Sequence, residues 1–160
     1  MSFKSIALAT FTTLATALPA VAADIMVDDA YARSAAMSAK SGAAFMVIHN
    51  HGDGDDRLIG AASPAAKVVQ LHTHKEDENG VMKMMHVEDG FAVPADGMVT
   101  LQRGGHHVMF MGINAPFEQG KMIPLTLTFE QAGEVEIEVP VDLERQPMSG
   151  DSHDHGSMSD

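Results

Sequence analysis

From residue 25 onward the chain is cut into short segments in which apolar residues alternate with polar ones or run together, each closed by glycine, proline, asparagine or aspartate. Helical periodicity is nearly absent. This pattern predicts eight strands: Ile25–Arg33, Ala43–Asn50, Lys67–His74, Val81–Val87, Met98–Gln102, His106–Gly112, Ile123–Glu130 and Glu134–Val141. The intervening words are turn formers: Asn50-His51-Gly52-Asp53-Gly54, Glu78-Asn79-Gly80, Pro94-Ala95-Asp96-Gly97, Arg103-Gly104-Gly105 and Gln131-Ala132-Gly133. A single helical turn is expected over Ala61–Ala66. Short strands joined by such turns make an all-β, antiparallel sandwich or small barrel, and the lack of a long repeat excludes a solenoid or propeller.

The two ends do not follow this pattern. Residues 1–23 read as a secretory signal, with Lys4 as the positive end, a short apolar run from Ile6 to Leu18, and Ala20-Val21-Ala22 as a small-x-small cleavage word. The run is too short to span a bilayer, which takes roughly 20 apolar residues. Cleavage after Ala22 or Ala23 would release an exported chain, with no membrane insertion thereafter. Residues 24–146 form the expected β domain. Residues 147–160 have almost nothing to bury and read as a disordered tail that carries His153-x-His155 between Met148 and Met158.

Composition narrows the chemistry. The domain is of ordinary size for one hydrophobic core, and with no cysteine it has neither disulfides nor thiolate ligands. A formal charge of −12 disfavours nucleic acid and anionic lipid as partners, and it attracts cations. Thirteen methionines and nine histidines stand beside one tyrosine and no tryptophan. Methionine is ordinarily a flexible core filler, so the argument rests on where these residues fall.

Strand alternation places them. His72 and His74 share a face of one strand, Met82, Met84 and His86 share a face of the next, and His107, Met109 and Met111 share a face of a third. Three strands thus present imidazole and thioether groups to one point. Such a ligand set selects a soft ion, best Cu(I). Zinc and calcium do not account for the methionines, and the missing cysteine excludes the thiolate of a blue electron-transfer site.

These residues resemble the PCuAC family of periplasmic copper chaperones. The resemblance rests on Leu71-His72, Gly80-Val81-Met82-Lys83-Met84, Val93-Pro94-Ala95 and the run from Gly104 to Gly112. Asn50, Asp56-Arg57-Leu58-Ile59-Gly60-Ala61 and Ser63-Pro64-Ala65-Ala66 extend it over about residues 24–143. The resemblance implies a cupredoxin-like antiparallel Greek-key barrel or sandwich. It also implies Cu(I) binding and delivery to the apo copper subunit of cytochrome c oxidase or another periplasmic copper-assembly protein.

The family signature spaces His and Met by ten residues, the next His by twenty-one, and the last Met by one. In this chain that spacing selects His74, Met85, His107 and Met109, whereas aligning the surrounding words selects His72, Met84, His107 and Met109. Alternation favours the second set, because moving from Met84 to Met85 turns the side chain to the other face. His72 and Met84 are the first choice, with His74 and Met85 in reserve. The tail resembles the His- and Met-rich extension that takes Cu(II) in some members, which assigns His153, His155, Met148 and Met158 to a second copper site.

No nucleophile–base–acid spacing and no phosphate-binding glycine loop argues for an enzyme. His49 and His51 beside Asp53, Asp55 and Asp56 read as a solvated turn. Two other functions stay open on sequence alone: copper sequestration without a delivery partner, and a metal-free exported β-sandwich that binds protein.

Overall fold

The structure, a computed structural model, describes residues 24–146. Among these residues ten strands form, all paired antiparallel in two sheets: β1 (Ile25–Ser34), β2 (Ser41–Asn50), β3 (Asp56–Ala62), β4 (Ala66–Glu76), β5 (Met82–His86), β6 (Phe91–Val93), β7 (Gly97–Leu101), β8 (His107–Ile113), β9 (Met122–Phe129) and β10 (Gly133–Pro140). The larger sheet runs β1-β2-β8-β4-β5, with β7 also on β2; the smaller runs β10-β9-β3-β6. Both sheets are open, so the molecule is a sandwich and not a closed barrel. The chain passes repeatedly between sheets, which brings β8 between β2 and β4 and so gathers residues distant in sequence.

The predicted alternation holds where the sheets face each other. Ala44, Met46 and Ile48 of β2, Leu71 of β4, and Val108 and Phe110 of β8 pack against Leu58, Phe91, Val93, Leu125, Leu127 and Phe129 of the smaller sheet. Ten strands replace the expected eight because β3 and β6 were not anticipated. β6 is only three residues long, and β3 is interrupted by Gly60, so neither shows a sustained alternation; pairing with β9 and with each other makes them strands. The expected helical turn over Ala61–Ala66 does not form. β3 runs to Ala62, and Ser63 turns the chain by accepting from the Ala65 amide and donating to the Pro124 carbonyl.

Two polar side chains tie the connecting loops. Asp56 accepts from the amides of Arg57, Gln131 and Ala132, and Asn50 donates to the carbonyls of Gly54 and Val93. Both are buried and satisfied, which gives the Asn50 and Asp56 words a structural role.

Candidate metal centre

The centre lies on the outer face of the larger sheet, where β2, β8, β4 and β5 run side by side. β8 fixes His107 opposite His72 and Met109 opposite Gln70 on one side, and Met109 opposite Ala43 on the other. The β4–β5 hairpin pairs His72 with His86, Thr73 with Met85, and His74 with Met84. Its register is pinned at the turn. One oxygen of Asp77 accepts from the Asn79 and Val81 amides, while the other lies 2.7 Å from Lys83 Nζ. The Lys83 hydrogen bond, followed by those two amides, holds the Asp77 carboxyl below its ordinary pKa.

That register decides which methionine faces the histidines. Met84 shares the face of His72 and His74, whereas Met85 leaves with Thr73 on the opposite side. A shallow cavity of about 190 Å³ is lined by His74, Met84, His107 and Met109, with Ala43, Phe45, Arg103 and Gly104 completing it. His72 is one register step away and does not line it. Its Nε2 lies 3.1 Å from Gln70 Oε1, and its ring sits 5.7 Å from that of His86 and 5.9 Å from that of His107.

The electrostatics suit neutral imidazole. His107 is 2% exposed, and its Nδ1 donates to the Gly105 carbonyl at 3.0 Å, which leaves Nε2 as the free lone pair. Burial pushes the His107 pKa down, partly opposed by that carbonyl, with His74 and His106 lowering it further. Burial also lowers His72, followed by His107 and His86. His107 Nε2, His74 Nδ1 and His72 Nδ1 are all buried and lack a hydrogen-bond partner among the described residues. Two of these three nitrogens belong to cavity-lining side chains. A buried ring nitrogen without a partner is costly, and a metal ion relieves that cost.

His106, one residue from His107, is turned the other way: its ring stacks on Phe91 at 4.2 Å and its Nδ1 meets Thr73 Oγ1 at 3.0 Å. It anchors the loop. Phe45 and Arg103 are the lining residues that the sequence did not single out. Phe45 reads as one more apolar strand position, and Arg103 as part of a turn; only the pairing of β2 with β8 and the Gly104–Gly105 turn bring them to the metal ligand types.

Residues 25–141 match the family described as "Putative lipoprotein LpqE-like". The chain belongs to this LpqE-like family, within the PCuAC group. The protein named "Putative lipoprotein Lxx21020" from Leifsonia xyli subsp. xyli is 39% identical over 99 residues, which cover 62% of this chain and 59% of that protein. The chain thus spans about three fifths of that relative's length. The copper-bound PCuAC domain from PmoF2 superposes with a TM-score of 0.61 at 28% identity, covering 75% of this chain and 93% of that domain. The Cu(I) form of DR1885 from Deinococcus radiodurans gives a TM-score of 0.57 at 32% identity, covering 81% of this chain and 83% of its own.

The LpqE-like chain therefore has the fold of copper-binding, chaperone-like PCuAC domains. Its donor set fits that cargo. Among the described residues no three His, Asp or Glu side chains gather closely enough to hold a metal by themselves. The cavity supplies two imidazoles and two thioethers, which is the ligand chemistry of a soft ion. The tail residues Met148, His153, His155 and Met158, and the signal at residues 1–23, lie outside the described residues. No described helix is long and apolar enough to cross a membrane.

Proposed function

We propose that this is an exported copper chaperone of the periplasm that carries Cu(I) between His74, Met84, His107 and Met109. It would deliver the ion to a copper-assembly partner such as the apo copper subunit of cytochrome c oxidase. The reading rests on one observation: the unpartnered ring nitrogens His74 Nδ1 and His107 Nε2 belong to the same cavity as two thioethers. Export is supported by the secretory pattern of residues 1–23 and by the lipoprotein designation of the family and its Leifsonia relative.

The proposed ligand set takes His74 from the reserves and Met84 from the first choice. His74 faces Met84 directly across the hairpin, and His72 already shares a hydrogen bond with Gln70. His72 then stands beside the ligands and shapes the site through its contact with His107.

The mechanism follows from ligand type. Neutral imidazole and thioether add no negative charge, so Cu(I) is held without a closed anionic cage. Met84 is 46% exposed on an edge strand whose five residues all face solvent. A partner's ligand can therefore replace Met84 first, while the buried His107 holds the ion until the second ligand arrives. Copper passes by stepwise exchange, with no change in oxidation state.

X-ray absorption of the Cu(I)-loaded protein tests the site. Met109→Ala should remove one sulfur scatterer from the first shell; an unchanged spectrum would exclude Met109 as a ligand. An anaerobic transfer assay tests delivery, since retention of copper in the presence of a tighter-binding apo oxidase subunit would favour storage.

A further inference from the structure

The outer face of the larger sheet carries a second group of imidazoles and thioethers, at the far end of β2 from the cavity. His49 lies directly opposite Met26 on β1 and directly opposite Met98 on β7. Such partners have Cβ atoms roughly 4.5–5.5 Å apart and project their side chains from the same side of the sheet. Three adjacent strands therefore set a thioether, an imidazole and a thioether in one row. His49 shares this outer side of β2 with Ala43 and Phe45, which line the first cavity, but it lies four residues beyond Phe45, roughly 13 Å along the strand.

Two more groups meet this row. The His51 ring lies parallel to that of His49, with 3° between planes and centroids 5.9 Å apart. Asp28 Oδ2 is 3.4 Å from His49 Nε2. Met26 and Met98 are 45% and 59% exposed, whereas Met46, a core methionine on the inner side of β2, is 2% exposed. Packing does not account for the two outer methionines. Their unbranched side chains have the freedom to swing both sulfurs toward the imidazole between them.

We propose that Met26, His49 and Met98, with His51 within reach, form a second site for a soft monovalent cation, Cu(I). The thioethers exclude a preference for zinc or calcium, and the Asp28 carboxylate offsets the single positive charge. The site shares no residue with the first and does not depend on it. Open to solvent and built on flexible methionines, it binds more weakly and exchanges faster than the cavity. It suits a position where copper is first held on the face that carries the principal site.

Anaerobic Cu(I) titration of the full chain, with methionine methyl groups labelled for NMR, reads each site separately from the tail. The Met84 and Met109 methyl signals should move first, and those of Met26 and Met98 at higher copper. His49→Asn should raise the Cu(I) concentration needed to shift Met26 and Met98 by at least tenfold, and Met84 and Met109 should respond as before. In His107→Asn combined with Met109→Leu, Met26 and Met98 should still respond. Met26 and Met98 signals that stay fixed through three equivalents, or shift equally well without His49, would overturn the second site and leave the first intact. Silence at Met84 and Met109 with response at Met26 and Met98 would uphold the second site and overturn only the first.

Discussion

At the scale of residues, His74 and His72 stand two residues apart on one face of β4 and differ in what they touch. His74 faces Met84 and lines the cavity, while His72 is held to Gln70. Loss of groups that merely support a metal ligand typically costs 10–100-fold in affinity, so His74→Ala should weaken Cu(I) binding by more than about 100-fold and His72→Ala by no more than about 10–100-fold. Competition against a Cu(I) chelator measures both, and the reverse order would return His72 to the ligand set. The depressed pKa of His107 also sets a pH dependence. In the unfolded chain this group takes up a proton near 6.5, and in the fold only at lower pH. The unfolded state therefore binds more protons in that window. Stability of the copper-free protein is full above about pH 6.5 and falls as pH drops toward the depressed folded value. His72 acts in the same direction. Thermal unfolding between pH 7.5 and 5 should show this fall, and His107→Asn should reduce it; an identical slope in that variant would mean the loss arises elsewhere. Bound at the proposed site, Cu(I) would oppose the fall by occupying the nitrogen that the proton needs.

At the scale of elements, the β4–β5 hairpin supplies His74 and Met84 to the cavity, and the loop that follows it holds a tight backbone contact. The loop closes at Gly90, whose φ is +70° and where an added Cβ would come within 2.0 Å of the Leu58 carbonyl oxygen. A side chain there strains the backbone and forces β6 away from β3. Gly90→Ala should cost about 2–4 kcal/mol in a denaturant unfolding series, and a change below 0.5 kcal/mol would show that the contact relaxes at little cost. The hairpin shows where sequence reading stops. Alternation alone put Met84 with the histidines and Met85 away from them, as the paired strands do. It did not reach the choice between His72 and His74, because two residues on one face of one strand are equivalent until a neighbour is assigned. The Asp77 turn sets the register of the hairpin through local hydrogen bonds, and the position of β8 depends on pairing with a segment far away in the chain. β3 and β6 escaped notice for a related reason: a short strand is defined more by its partners than by its own pattern.

At the scale of the whole molecule, the proposed copper ligands are concentrated on one sheet, and the opposite sheet supplies apolar residues that pack against its inner face. The principal cavity and the Met26–His49–Met98 row both lie on the outer face of that sheet, with a strongly acidic surface to draw cations toward them. The sequence of the C-terminal tail carries His153 and His155, the proposed ligands of a second copper site. Removing residues 147–160 should abolish Cu(II) uptake and spare Cu(I) binding by the folded domain; an unchanged Cu(II) stoichiometry would refute that division of labour. Sequence by itself determined the all-β architecture, the inward and outward faces of the long strands, and the kind of metal these side chains suit, because all three follow from local periodicity and ligand chemistry. The tertiary structure alone decided that the sheets stay open, that His74 lines the cavity with Met84, and that Met26, His49 and Met98 stand in one row. Each of these depends on register between strands, which is set by long-range hydrogen bonds and turns and leaves no trace in the pattern of any single strand.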